Sequence, residues 1–129
     1  MPQDDPGPPD PRPPVWVGHV TLATPDIGAT RQFFLALGMR DIEHGDGFAV
    51  LELRGGTHLV LLPGEGVHDE PAAFDLMVDD LEGAHRDLES RGLSPSPVET
   101  GSIHDSFTVR SPSGHRITFH SSHASGLPV

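Results

Sequence analysis

An internal repeat constrains this chain more than any other feature. Asp26-Ile27 runs to Gly38 over twelve positions, and Asp80-Leu81 runs to Gly92 over the same twelve, so both ends are offset by 54 residues. Each aspartate stands where its side chain can accept an N–H of a first helical turn. Each glycine stands where a helix end needs a left-handed residue. Between them Ile27, Thr30 or Arg31, and Phe34 recur at helical spacing, with Phe33 and Leu37 beside that stripe. A second pair of segments also matches. Gly56-Thr57-His58-Leu59-Val60-Leu61 resembles Gly114-His115-Arg116-Ile117-Thr118-Phe119 at an offset of 58, so four extra residues must lie in a loop of the second copy.

Strand signals fill the remaining positions in the same order twice. Residues 16–24 are rich in β-branched residues and read as a strand, 39–44 and 47–54 as a hairpin across His44-Gly45-Asp46, and 57–62 as a third strand after Gly55-Gly56. In the second copy 73–78 reads as a strand, 81–90 as the helix, 93–99 as an edge strand interrupted by Pro95 and Pro97, and 106–110 and 115–120 as the closing pair. The expected class is α+β: tandem β-α-β-β-β units forming a curved mixed sheet around a small-molecule groove. Neither half could bury both its helix stripe and its sheet face alone. The expected organisation is a disordered or polyproline-like segment over 1–14, one domain over 15–122 with units at about 15–63 and 72–121, and a flexible C-terminus over 123–129.

The period of two along a strand sorts side chains to opposite faces. If the helix covers Val20 and Leu22, then His19 points into the groove. The same reasoning places His58, Glu52, Asp75, Met77, Arg116, Thr118 and His120 on that inner side, with Phe48 in phase with Glu52. Phe48, Met77, Phe107 and Trp16 are candidates for an apolar lining, or plain core. Glu52, Asp75, Arg116 and Thr118 are candidates for ligand contact. An Asp75–Arg116 ion pair is the structural alternative for those two, because a lone carboxylate in an apolar groove is costly. His19 is the candidate base, His19, His58 and His120 are the candidate metal ligands, and hydrogen-bonded structural roles are open to all three. His44, His68, His85, His104 and His115 read as surface residues.

Charge narrows the partners. Asp plus Glu is 19 against 8 for Lys plus Arg, no lysine occurs, and the formal net charge is -11. That field disfavours nucleic acid and anionic membranes and favours a cationic ligand. There is no cysteine, which removes disulfides and thiolate chemistry. The opening MPQDDPGPPD has neither the basic start nor the apolar core of a signal peptide, and a cytoplasmic location is expected. Phosphate-binding glycine motifs, H-E-x-x-H and a nucleophile elbow are all absent from the sequence.

The chain resembles the vicinal oxygen chelate superfamily, which includes glyoxalase I, extradiol dioxygenases and bleomycin resistance proteins. The resemblance rests on His19-Val20-Thr21-Leu22 leading to Asp26-Ile27, on Phe33-Phe34 and Leu37-Gly38, and on Ala73-Phe74-Asp75-Leu76, Val78-Asp79-Asp80-Leu81, Gly92 and the run 111–119. It implies metal ligands on the first and last strands of each unit. Those positions are occupied here by His19, Val60, Ala73 and Thr118, of which only histidine is a usual ligand. The resemblance therefore implies a metal-free small-molecule binding or sequestration protein, homodimeric and of the bleomycin resistance type, with no cofactor. The alternative is a lyase, isomerase or dioxygenase with a relocated divalent metal site.

Overall fold

Both helices end as the repeat requires. In the computed structural model, which describes residues 7–122 and 128, α1 spans Ile27–Ala36 and α2 spans Leu81–Ser90. The Asp26 carboxylate accepts from the Ala29 N–H at 2.9 Å, and Asp80 accepts from Gly83 at the same distance. The C-termini are Schellman turns in both copies. Met39 N–H donates to Phe34 O at 3.2 Å and Gly38 to Leu35 O at 3.0 Å; Leu93 donates to Leu88 O at 3.1 Å and Gly92 to Glu89 O at 3.0 Å. Gly38 and Gly92 take φ of +110° and +77° to make these turns.

The strands of the first unit are β1 (His19–Thr24), β2 (Arg40–Gly45), β3 (Phe48–Glu52) and β4 (His58–Pro63). They form a curved sheet in the order β1-β4-β3-β2, with β1 parallel to β4 and the other pairs antiparallel. The second unit contributes β5 (Glu70–Pro71), β6 (Leu76–Val78), β7 (Glu99–Thr100), β8 (Asp105–Arg110) and β9 (His115–Ser121). Here β5 and β6 both lie parallel to β9, followed by β8 and β7. The register repeats residue for residue. Leu22 pairs with Leu61 as Leu76 pairs with Phe119, and Ala49 pairs with Leu61 as Phe107 pairs with Phe119. The change of offset from 54 to 58 therefore falls between Gly92 and β8.

One face of each sheet is sealed by its helix. Phe33 and Phe34 of α1 pack with Leu22, Ala49, Leu51, Leu59 and Leu61; Leu81 and Leu88 of α2 pack with Phe107, Val109, Ile117 and Phe119. Phe107 is 1% exposed, stacked on Phe119 at 4.9 Å and met edge-on by His85 at 5.2 Å. This corrects its expected place in the pocket lining. Cross-strand partners share a face, and Phe119 faces α2, so Phe107 must as well.

Three other expectations change. The strand expected over 73–78 begins only at Leu76, and the edge strand expected over 93–99 shortens to Glu99–Thr100. Pro95 and Pro97 have no N–H to give to a ladder. Between them Ser96 keeps contact by donating its N–H to Thr108 O and accepting Thr108 N–H on its hydroxyl, both at 2.8 Å. His85, His104 and His115, expected on the surface, are half-buried and hydrogen-bonded to Ser96 O, Ser121 O and Ser113 Oγ. Of the segments expected to be irregular, 123–127 and 129 lie outside the described residues, as do 1–6.

Candidate functional site

The faces turned away from the helices carry the polar residues. On the first sheet they form a row that crosses every strand in register. His19 pairs with His58, His58 with Glu52, and Glu52 with Arg40. Glu52 divides its two oxygens: Oε1 accepts from the Arg40 guanidinium, and Oε2 lies 3.1 Å from His58 Nε2. Arg40 first, and then His58, holds the Glu52 carboxyl below its ordinary range by hydrogen bonding to the charged form. An ionised carboxylate only accepts, so His58 Nε2 is the donor. The His19 ring stands edge-on to His58 with centroids 5.7 Å apart.

Beyond this row the surface turns apolar. Thr21, Val60 and Val50 follow in register, then Ala23 beside Leu62, and Phe48 beside Gly45. The Phe48 ring lies so close to Gly45 that a Cβ there would stand 2.6 Å from it, so the glycine makes room for the ring. The open face is thus a floor of small and apolar groups, with the polar row along one side and Glu43, paired with Val50, at the β2 edge.

The second sheet places its residues differently. Met77 pairs with His120 and His120 with Ser106; Thr118 pairs with Thr108 and Arg116 with Arg110. Asp75 lies 3.2 Å from His120 Nε2, not against Arg116 as expected. Arg116 and Arg110 instead approach Asp69 Oδ1 at 3.4 and 2.8 Å. The reason is local. Pro71 pairs with Arg116 and Leu76 with Phe119, so five steps on one strand answer three on the other, and the chain bulges over 72–75. The bulge carries Asp75 toward His120. Asp69, at φ +55°, enters from the preceding loop and was not visible as a partner in any strand pattern. His120 Nδ1 is buried without a hydrogen-bond partner among the described residues.

The candidates therefore fall into separate groups. His19, His58 and Glu52 come together on the first sheet. Asp75, Met77 and His120 meet at the start of the second. Arg116 belongs with Arg110 and Asp69. Sequence reasoning missed Arg40 and Asp69; Arg40 was legible from a hairpin register that sets it opposite Glu52.

With this geometry in place, comparison with known proteins is decisive for the family. The profile of the Glyoxalase/Bleomycin resistance protein/Dioxygenase superfamily matches residues 16–119. The chain belongs to this superfamily. A lactoylglutathione lyase from Agrobacterium tumefaciens shares the fold at TM-score 0.74 and 14% identity, over 90% of this chain and 100% of that one. The bleomycin resistance determinant of transposon Tn5 aligns at TM-score 0.66 and 19% identity, over 84% and 98%. TnmS3, an antibiotic binding protein from Streptomyces sp. CB03234, aligns at 0.69 and 17%, over 83% and 95%. A comparison with curated proteins gave no match.

Within the superfamily, the metal-dependent pattern does not fit these residues. Of the four strand positions that the resemblance implies for it, Val60 and Ala73 have no donor atom and Thr118 pairs with Thr108, so only His19 offers a usual ligand atom. No group of three or more His, Asp or Glu among the described residues is arranged to hold a metal ion.

Proposed function

We propose that this chain binds and sequesters a small molecule on the open faces of its sheets, in the manner of the resistance-type members of its superfamily. The donor set carries this reading: Val60 and Ala73 leave two of the four family ligand positions without a coordinating atom. What remains is suited to holding a molecule: an apolar floor of Val50, Val60 and Phe48 bordered by His19, His58 and Glu52. The net charge of -11 favours a cationic ligand by long-range attraction. His58 is the better-held imidazole, since Glu52 fixes its ring. His19 stands edge-on to it at the β1 end of the same row. Residues 15–122 are taken as the binding domain, and two chains as the working unit, because within one chain the face of each sheet turned away from its helix has no helix to cover it.

Isothermal titration with bleomycin and with smaller cationic aromatic compounds, at low and high salt, tests the reading. Binding that weakens with salt is expected, as is a loss of about tenfold on Glu52→Ala. Metal analysis of protein purified without chelator provides the contrary result. One tightly held Mn, Fe, Zn or Ni ion per chain, lost on His19→Ala, would replace sequestration with a metal-dependent lyase, isomerase or dioxygenase. A monomer by light scattering at micromolar concentration would remove the dimer.

A further inference from the structure

A second recess lies beside the sheet faces, and the segment ahead of β1 forms one of its walls. Pro13, Pro14, Val15 and Trp16 bound a cleft of ≈ 700 Å³ whose other side includes Gly55 and Met77. Pockets for drug-sized molecules fall at about 300–1,000 Å³. Val15, Trp16 and Met77 remain 77%, 70% and 52% exposed, so the apolar walls are not in use as core. Uncovered apolar surface of this kind marks a place where something binds.

The rim shows what class of molecule fits. Its charges are neutralised in pairs: Arg12 lies 2.6 Å from Asp10, and Arg54 lies 2.8 Å from Asp79. The recess is thus lined by charges held in pairs and by apolar groups: an indole, two pyrrolidine rings and a thioether. Indole faces and thioethers pack well on aromatic rings. Prolines already have φ fixed, so a wall made of them loses little freedom on closing over a ligand.

We infer that this cleft binds a planar aromatic molecule between Trp16 and Met77, with the proline-rich lead as one wall of the site. The inference rests on the small-molecule reading above and adds the place and the chemical class.

Trp16 is the only tryptophan and there is no tyrosine, so intrinsic emission reports on the cleft directly. The full chain is titrated at mildly alkaline pH with acridine, which is neutral, and 9-aminoacridine, which is cationic. Trp16 emission and heat are followed in parallel. Both probes should quench Trp16 saturably, with Kd of about 10 μM. Met77→Ala should weaken both by about tenfold through lost ring contact. Pro13→Gly combined with Pro14→Gly should weaken both by about threefold through a looser wall. Asp46→Asn, in the β2–β3 turn, should change neither. Calorimetric Kd values that these cleft variants leave within about twofold of the parent would overturn the cleft assignment while leaving sequestration standing. Absence of both heat and quenching with either probe would overturn the planar aromatic class, and the bleomycin titration then decides sequestration independently.

Discussion

The two units share a topology and differ in how faithfully they execute it. In the first, β1 runs six residues in unbroken register with β4, and a polar row crosses four strands. In the second, the equivalent strand is split into β5 and β6 by the bulge at 72–75, and the edge strand shrinks to two residues. The charge pattern also inverts. Glu52 opposite His58 becomes Arg110 opposite Arg116, and the carboxylate comes from Asp69 in a loop. Helix caps and strand alternation reproduce the scaffold, whereas the departures from the repeat decide which side chains meet. Ala73, the counterpart of His19, sits in the bulge and is lost to any two-fold site.

The largest expected difference between the units lies at matched glycines. Gly56 and Gly114 hold nearly equal φ, +87° and +89°, at the same point of each repeat. A Cβ on Gly56 would meet nothing within 4 Å, whereas on Gly114 it would stand 1.7 Å from Val67 O. Val67 N–H donates to Ser113 O at 2.9 Å, so the two backbones are already tied together there. Gly56→Ala should cost about 1 kcal/mol from left-handed strain alone. Gly114→Ala should cost about 3 kcal/mol or more, because backbone must also move. Urea denaturation of both variants measures the gap, and equal losses would show that the backbone at Val67 moves aside at no cost.

The helix caps should give a smaller effect. Asp26→Ala and Asp80→Ala remove the same 2.9 Å bond and should each cost about 1 kcal/mol. Their C-terminal glycines should differ more. At φ +77° Gly92→Ala should cost about 1 kcal/mol, while at +110°, further from the left-handed minimum, Gly38→Ala should cost about 2 kcal/mol. Thermal melts of the four variants would separate the caps from the turns. A larger loss at Gly92 than at Gly38 would break the comparison.

These elements were also the most legible in the sequence, and for the same reason. Asp26, Gly38, Asp80 and Gly92 act through bonds to residues at most five positions away, so local pattern suffices to read them. Alternation placed His19, His58 and Glu52 correctly on the open face. Phe107 takes its side from its strand partner, Phe119, and not from any signal within β8 itself. The Asp75–Arg116 pair failed because a two-residue bulge cannot be read from alternation. Asp69 was invisible because it reaches Arg110 and Arg116 from a loop. His85 and His115 looked like surface residues because their partners, Ser96 O and Ser113 Oγ, depend on turn geometry.

The smallest expected effect is the one tied most closely to the site, the acid titration of the polar row. Glu52 is held below its ordinary range by Arg40 and then by His58, so its folded-state pKa lies below its unfolded one. A carboxyl depressed in this way contributes stability that is complete above the unfolded pKa and is lost as pH falls through the folded pKa. The row should therefore be intact at neutral pH and come apart only below the ordinary carboxylate range. Glu52→Gln should flatten the stability profile over that acidic window. It should also weaken the hydrogen bond at His58 Nε2, which the His58 ring resonances in NMR would register at neutral pH. Arg40 is largely exposed, so the change in stability should be slight and should shrink further with added salt. An acid profile of the Gln variant that overlays the parent would mean that Glu52 holds His58 by packing alone. The contrast between a charge-ordered first sheet and a loop-clamped second sheet would then fail at its central residue.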